Sequence, residues 1–209
     1  MSSPAIALAD GLATLGIEPG ADKLARLMAY LDLLQKWNAV YNLTAIREPR
    51  QWISHHLLDS ISIFRYLPAG SLADIGTGAG FPGLPLALVD PDRPVTLVEA
   101  NQKKSAFLTQ VVGELGLANV RVVRQRVEEV PPEHHFAAVT SRAFADLADF
   151  ARLAGHLLAP GGLLLAMKGL FPHEELARLP AGFVCLSVEA LKVPGLDATR
   201  HLVILGRQA

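Results

Sequence analysis

The sequence reads Ala73-Asp74-Ile75-Gly76-Thr77-Gly78-Ala79-Gly80-Phe81-Pro82-Gly83 where a short apolar run gives way to a helix-like segment. Glycines in such a turn let backbone N–H groups approach a ligand closely. We therefore predict that a cofactor binds at this turn. The candidate contacts are Asp74, Gly76, Thr77, Gly78, Gly80 and Phe81.

An acidic residue follows the next predicted strand. That strand, residues 94–98, ends before Glu99, about where a doubly wound fold places a carboxylate against a ribose diol. Hydrogen bonds to a charged group contribute about 1.5–3 kcal/mol, so Glu99 favours an adenosine-type ligand. The alternative is a tight turn with a buried Asp74 and no ligand.

The residues after the glycines distinguish between two nucleotide cofactors. A dinucleotide-binding turn needs a third small residue, and it needs free N–H groups for the pyrophosphate. Phe81 takes that third position, and Pro82 removes a donor. S-adenosylmethionine has no phosphate to hold, so the sequence favours it over NAD.

Outward from this turn, short β-branched runs alternate with helix-like segments. The runs are 72–75, 95–98, 120–123, 136–140 and 163–166. Such alternation is typical of a parallel sheet. Two C-terminal runs, 183–188 and 201–205, could pair antiparallel at the sheet edge. The helix after Asp146 is expected to reach Leu158, and Pro160-Gly161-Gly162 would then end it.

Residues 1–70 have helical periodicity. Leu24, Leu27, Leu31 and Leu34 recur at three-and-four spacing, and similar sets on either side predict three helices. No linker separates residues 70 and 71, so we predict one compact unit. The expected fold is α/β: an N-terminal helical cap, residues 1–70, on a seven-stranded doubly wound sheet, residues 71–209.

The composition limits the possible classes of function. The 209 residues are 51% hydrophobic and carry a formal net charge of −1, which argues against disorder and against a generally basic nucleic-acid-coating protein. No apolar run approaches the roughly 20 residues that a membrane span needs, and one cysteine, Cys185, allows no internal disulfide. We therefore expect a cytoplasmic protein without membrane association.

Five motifs resemble the bacterial small-subunit ribosomal RNA methyltransferase G family, also called glucose-inhibited division protein B. They are Trp37-Asn38-Ala39-Val40-Tyr41-Asn42-Leu43-Thr44, His56-Leu57-Leu58-Asp59-Ser60, the loop Gly76–Gly83, Ser141-Arg142-Ala143-Phe144, and Leu196-Asp197 with Arg200-His201-Leu202. The resemblance covers nearly the whole chain.

The resemblance implies a class I methyltransferase fold, S-adenosylmethionine as methyl donor, and N7 of a guanine in the 530-region loop of 16S ribosomal RNA as acceptor. It places cofactor contacts on Gly76, Phe81, Val127, Glu128 and Arg142. The family's usual residue at position 127 is Ala, so Val127 departs from the pattern. Because the implied adenine contact is through the backbone, we expect the change to be tolerated.

The acceptor chemistry predicts positioning residues, without a general base. Methylation of an exocyclic amine commonly uses an Asn/Asp-Pro-Pro-aromatic run, where this chain has Thr140-Ser141-Arg142-Ala143-Phe144. Guanine N7 has a lone pair and no proton, so no strong base is needed, and alignment supplies much of the rate. The candidates for orienting roles are Asn42, Asp59, Arg142 and Lys168.

Two of these candidates have alternative interpretations. Asn42 could bond a guanine edge beside a stacking Tyr41 or Phe144, or it could simply end a helix. Asp59 lies four residues after His55, on the same helical face. Because the motif contains no third ligand, we expect hydrogen bonding there and no metal.

Local basic residues predict the RNA contacts. Class I sites open beyond the carboxyl ends of the strands, so the candidates are Arg126, Arg142, Lys168 and Arg200. Since the overall charge is near zero, we expect weak binding of free RNA and action on 16S ribosomal RNA within the small ribosomal subunit or its precursor. We also expect a monomer. The rival hypotheses are a small-molecule methyltransferase and a non-catalytic sensor of the cofactor.

Overall fold

A computed structural model describes residues 3–131, 135–142, 144 and 146–208. Ala143, in the Ser141–Phe144 motif, lies outside the described residues, as do residues 1, 2 and 209 of the predicted segments. The strands are β1 Leu72–Ile75, β2 Val95–Val98, β3 Val120–Val123, β4 Phe136–Ser141, β5 Leu158–Lys168, β6 Phe183–Ala190 and β7 His201–Arg207. They form one sheet in the order β3-β2-β1-β4-β5-β7-β6.

The sheet confirms the predicted architecture. Strands β1 to β5 pair in parallel, and β7 pairs antiparallel with both β5 and β6. The chain order reverses between β1 and β4, which both lie at the centre of the sheet. In open α/β sheets a crevice forms at such a reversal, beyond the carboxyl ends of the strands.

The described helices pack against the sheet in two separate hydrophobic clusters. They are α1 Pro4–Thr14, α2 Ala21–Tyr41, α3 Asp59–Ile61, α4 Gly83–Val89, α5 Gln102–Glu114, α6 Leu147–Ala154 and α7 His173–Leu176. A π-helical turn, Ile53–Leu58, runs directly into α3. These N-terminal segments match the three predicted helices. No described helix is both long and apolar enough to span a membrane.

The prediction for the segment after Asp146 is wrong at its end. Helix α6 stops at Ala154, and β5 begins at Leu158. Leu158 pairs with Phe136 on β4, and the register then shifts before Leu163 pairs with Ala138. Residues 159–162 therefore interrupt the ladder inside β5, and the strand pairs with β4 on both sides of this irregular segment.

A buried tyrosine joins the N-terminal helices to the glycine loop. Tyr30, on α2, is fully buried, and its hydroxyl donates to the carbonyl of Ala79 at 2.6 Å. Its ring lies 5.6 Å from the ring of Phe81 and 6.4 Å from that of Phe107 on α5. Helix α2 therefore fixes both the backbone and an aromatic side chain of the loop.

We expect Tyr30→Phe to lower the free energy of unfolding by about 1–3 kcal/mol, since the buried Ala79 carbonyl loses its donor. Urea unfolding measures the change. Tyr66→Phe, at the end of the turn Phe64–Tyr66, is the control and should change stability by less. Equal effects of the two substitutions would contradict a specific role for the Tyr30 hydroxyl.

Candidate cofactor and substrate site

The buried side chain of Asp74, on β1, anchors the glycine loop. Its side chain is fully buried, and Oδ2 accepts hydrogen bonds from the Thr77 hydroxyl at 2.5 Å and from the Gly83 N–H at 2.7 Å. Burial raises the pKa of Asp74 from 3.8 to about 7, although these two hydrogen bonds lower it. Within the described residues, Oδ1 has no hydrogen-bond partner. One carboxyl group thus ties both ends of the loop to β1.

The loop's glycines are required by its backbone. Gly76, Gly78 and Gly80 have φ angles of 63°, 63° and 101°, a region that other residues rarely adopt. A Cβ at Gly80 would lie 2.3 Å from the Leu84 side chain, whereas a Cβ at Gly78 would have only one atom within 4 Å, the Gly76 carbonyl oxygen. The loop is therefore packed at Gly80 and open at Gly78.

Glu99 forms the wall of the first cavity. Its two carboxylate oxygens accept hydrogen bonds from the N–H groups of Gly78, at 2.9 Å, and Asn101, at 2.8 Å. We call the cavity of about 260 Å³ beside it the Glu99 cavity. Its lining residues are Ile75, Gly76, Val98, Glu99, Ala100, Gln125, Arg126, Val127, Glu128, Phe144 and Leu153.

A second cavity, of about 330 Å³, lies on the other side of Gly76. We call it the Phe81 cavity, and its walls are Leu43, Thr44, Ala45, Ile46, His56, Gly76, Thr77, Gly78, Ala79, Phe81, Lys104 and Arg142. The His56 ring stacks on the Phe81 ring at 4.4 Å with an interplanar angle of 21°. The N-terminal helices and the glycine loop therefore form this cavity together.

A third cavity, of about 340 Å³, is strongly cationic. We call it the Asp59 cavity, and it is lined by Ile46, His55, His56, Asp59, Arg142, Met167, Lys168, Gly169 and Arg200. Asp59 is 2% exposed, and its two oxygens accept from Arg142 Nη1 at 3.2 Å and from Arg200 Nε at 2.9 Å. Lys168 pairs with Glu175 at 2.7 Å. One buried carboxylate thus holds two guanidinium groups in fixed positions.

Arg142 lies where the Phe81 and Asp59 cavities meet. Besides Asp59, it donates to the backbone carbonyl of His55 at 3.2 Å, and its guanidinium carbon lies 4.9 Å from the centre of the Phe81 ring. A cation over an aromatic face is attracted by the ring quadrupole. The three cavities therefore lie side by side, since Gly76 lines the first two and Arg142 lines the last two, and we call this row of cavities the cleft.

The cleft includes most of the predicted site residues. Asp59, Thr77, Gly78, Phe81, Glu99, Val127, Glu128, Arg142, Lys168 and Arg200 line it, and Arg126 lies on the Glu99 cavity. Asp74 and Gly80 shape the loop from beneath instead of lining a cavity. Asn42 is the exposed residue that ends α2, with φ 51°, which favours its interpretation as a helix stop.

Three residues on the cleft walls are not among the predicted site residues: His56, Thr44 and Lys104. His56 lies in the segment Ile53–Leu58, which is π-helical, so the side chains of this segment follow a different period from that of an ordinary helix. The available signal was the presence of Thr44 and His56 in two of the five motifs. Among the described residues, no three His, Cys, Asp or Glu side chains cluster as a metal site.

Comparisons with known proteins agree on one family. The family model described as rRNA small subunit methyltransferase G matches residues 23–203. The ribosomal RNA small subunit methyltransferase G of Nitrosospira multiformis is 51% identical and covers 98% of both chains. That of Aromatoleum aromaticum is 53% identical over 97% of this chain and 99% of the relative.

Solved structures support the fold. TrmN from Thermus thermophilus superposes with a TM-score of 0.58 at 21% identity, covering 71% of this chain and 48% of that one. Ribosomal protein L11 methylase from Lactobacillus delbrueckii subsp. bulgaricus gives 0.56 at 14% identity, covering 73% and 77%. The chain thus has the class I S-adenosylmethionine-dependent methyltransferase fold.

Two buried groups give opposite pH dependences. Between about pH 4 and 7 the folded protein retains a proton on Asp74 that the unfolded chain has released, so this group lowers stability as pH rises. Burial, and secondly the Arg142 charge, lower the pKa of His56 from 6.5 to about 3. Between these values only the unfolded chain is protonated, so His56 lowers stability as pH falls.

We therefore expect Asp74→Asn and His56→Gln to change the pH dependence of unfolding in opposite directions. The wild-type free energy of unfolding minus that of Asp74→Asn should fall as pH rises, by at most about 1.4 kcal/mol per unit. The same difference for His56→Gln should rise. Urea unfolding across this pH range measures both, and two differences that do not vary with pH would contradict the burial argument.

Proposed function

The chain belongs to the rRNA small subunit methyltransferase G family, and from this we propose that it methylates N7 of a guanine in the 530-region loop of 16S ribosomal RNA. The methyl donor in this proposal is S-adenosylmethionine. One observation carries it: the Phe81 cavity shares Gly76 with the Glu99 cavity on one side and Arg142 with the cationic Asp59 cavity on the other. A donor and a phosphate-bearing acceptor would therefore meet in one cleft.

The residues present fit S-adenosylmethionine. Each Glu99 oxygen uses one lone pair on a backbone N–H, which leaves acceptor capacity for two ribose hydroxyls. Ile75, Val98 and Leu153 supply apolar walls for a purine, and the space that a Cβ would enter at Gly78 is open. The residues that we propose to hold the cofactor are Gly76, Thr77, Gly78, Phe81, Glu99, Val127, Glu128 and Arg142, over a loop shaped by Asp74 and Gly80.

The protein's part in the reaction is alignment. When bound, the cofactor supplies an electrophilic methyl group on a sulfonium. Guanine N7 is already nucleophilic and carries no proton, so the site needs no general base. On the Phe81 cavity, His56 is hydrogen-bonded to Thr44, and Asp74 is buried beneath the loop. Asp59 instead fixes Arg142 beside the reacting groups, where alignment lowers the barrier.

The Asp59 cavity suits an RNA acceptor. The side chains of Arg142 and Arg200 are about one quarter exposed, so the cavity opens to solvent with guanidinium groups available to phosphate. We propose that Lys168 and, from the Glu99 side, Arg126 add to this surface. The open, cationic rim favours RNA over the rival small-molecule substrate.

The setting of the reaction belongs to the same proposal. With a formal net charge of −1, the protein would bind free RNA weakly, so we propose that it acts on the small ribosomal subunit or its precursor. We also propose that it works as a cytoplasmic monomer, with residues 1–70 as a cap on residues 71–209.

Methyl transfer can be mapped directly. Incubation with radiolabelled S-adenosylmethionine and small subunits from cells that lack this gene should label one guanine of the 530-region loop, at N7. Base-specific cleavage after reduction locates the modified position. Label on an exocyclic amine, or cofactor binding without transfer to any RNA, would contradict the proposal.

We expect Glu99→Gln to weaken S-adenosylmethionine binding about tenfold to a hundredfold, because hydrogen bonds to a charged group contribute about 1.5–3 kcal/mol. Calorimetric titration measures the dissociation constant. Glu114→Gln, an exposed carboxylate at the end of α5, is the matched control and should bind like the wild type. Unchanged binding by Glu99→Gln would place the cofactor elsewhere.

A further inference from the structure

The His56 ring has a defined hydrogen-bond direction. It is 5% exposed, and burial keeps it neutral near pH 7 by lowering its pKa to about 3, so only one ring nitrogen carries a proton. Nδ1 faces Arg142 Nη2 at 3.5 Å. Because a guanidinium only donates, Nδ1 is the accepting nitrogen, and we assign the proton to Nε2.

That assignment determines what the Thr44 hydroxyl can do. Thr44 Oγ1 lies 2.8 Å from His56 Nε2, so with the proton on Nε2 the hydroxyl oxygen is the acceptor. It also accepts the N–H of Ile46 at 3.2 Å. A hydroxyl has two lone pairs and one proton, so both acceptor sites are occupied. Within the described residues, no hydrogen bond uses the Thr44 proton, and Thr44 lines the Phe81 cavity.

We propose that the Thr44 hydroxyl donates to O6 of the target guanine and thereby selects guanine over adenine, with His56 as the positioning residue. The inference rests on the proposed function. Guanine presents two acceptors, O6 and N7, on the edge to be methylated, whereas adenine presents N7 beside an N–H donor. A hydroxyl that can only donate bonds the first edge and leaves the adenine amine without an acceptor. Sites built this way reject the wrong partner strongly.

The Thr44 hydroxyl could instead donate to the carboxylate of S-adenosylmethionine. In that case, loss of the Thr44 hydroxyl would weaken cofactor binding and leave the preference for guanine unchanged. The cationic Arg142 and Lys104 on the same walls already supply partners for a carboxylate. With the proton assigned to Nε2, Thr44 and His56 form a chain of hydrogen bonds that leaves the Thr44 proton directed at no described residue.

The decisive experiment changes the base and the residue together. Small subunits are reconstituted with guanosine, inosine or 2,6-diaminopurine at the target position. Inosine keeps O6 and N7, whereas diaminopurine replaces O6 with an amine. The wild type should methylate inosine within about threefold of guanosine and diaminopurine at least about a hundredfold more slowly. Equal rates on all three would overturn the proposal without changing the proposed function.

Variants at Thr44 separate recognition from structure. Thr44→Val should lower kcat/KM for guanosine about tenfold to a hundredfold and reduce the preference over diaminopurine by a similar factor, with S-adenosylmethionine affinity unchanged. Thr44→Ser should restore the preference. Thr109→Val, which removes a hydroxyl bonded within α5, is the matched control. Equal losses on both bases, or a loss confined to cofactor affinity, would refute the proposal.

Variants at His56 test its positioning role. His56→Gln keeps an N–H that can donate to Thr44 and should retain most of the base preference. His56→Leu frees an acceptor lone pair on Thr44, so diaminopurine should be methylated relatively faster than by the wild type. If His56 had a purely structural role, His56→Leu would lower the methylation rates of guanosine and diaminopurine equally. Wild-type base preference in His56→Leu would refute the positioning role of His56. Failure of the wild type to methylate any RNA would instead refute the proposed function.

Discussion

The guanidinium group of Arg142 joins the parts of this molecule that have to act together. It extends from the end of β4, donates to the buried carboxylate of Asp59, and lies over the ring of Phe81. The buried Asp59 carboxylate also accepts from Arg200, and a buried charge needs such partners because it is costly when left uncompensated. The contact therefore holds the N-terminal helices against the carboxyl edge of the sheet and fixes the boundary between the Phe81 and Asp59 cavities.

The glycine loop shows why this edge can hold a ligand. Asp74 is buried beneath it and Tyr30 bonds it from the helical side, so its backbone is fixed before any ligand arrives. Such preorganisation lowers the entropy that binding must overcome. The arrangement has a cost, since burial of Asp74 raises its pKa to about 7. Unfavourable burial of this kind is common where a site requires a particular geometry.

Local sequence patterns predicted the sheet well and the cleft only in part. The runs at 72–75, 95–98 and 120–123 became strands with the predicted bounds, because short β-branched segments bounded by turns have few alternatives. The start of β5 at Leu158 depends on pairing with Phe136, which no local pattern contains. Likewise, the His56 contact with Thr44 depends on a π-helical turn, and the burial of Asp74 depends on helices outside its own strand.

In the function that we propose, the cleft aligns a sulfonium donor with a base held on the Arg142 side. A crystal structure with S-adenosylmethionine bound tests this alignment. We expect the ribose on Glu99, the purine between Ile75 and Leu153, and the methyl group directed past Phe81 towards the Asp59 cavity. A cofactor bound outside the Glu99 cavity, or a methyl group directed away from Arg142, would contradict it.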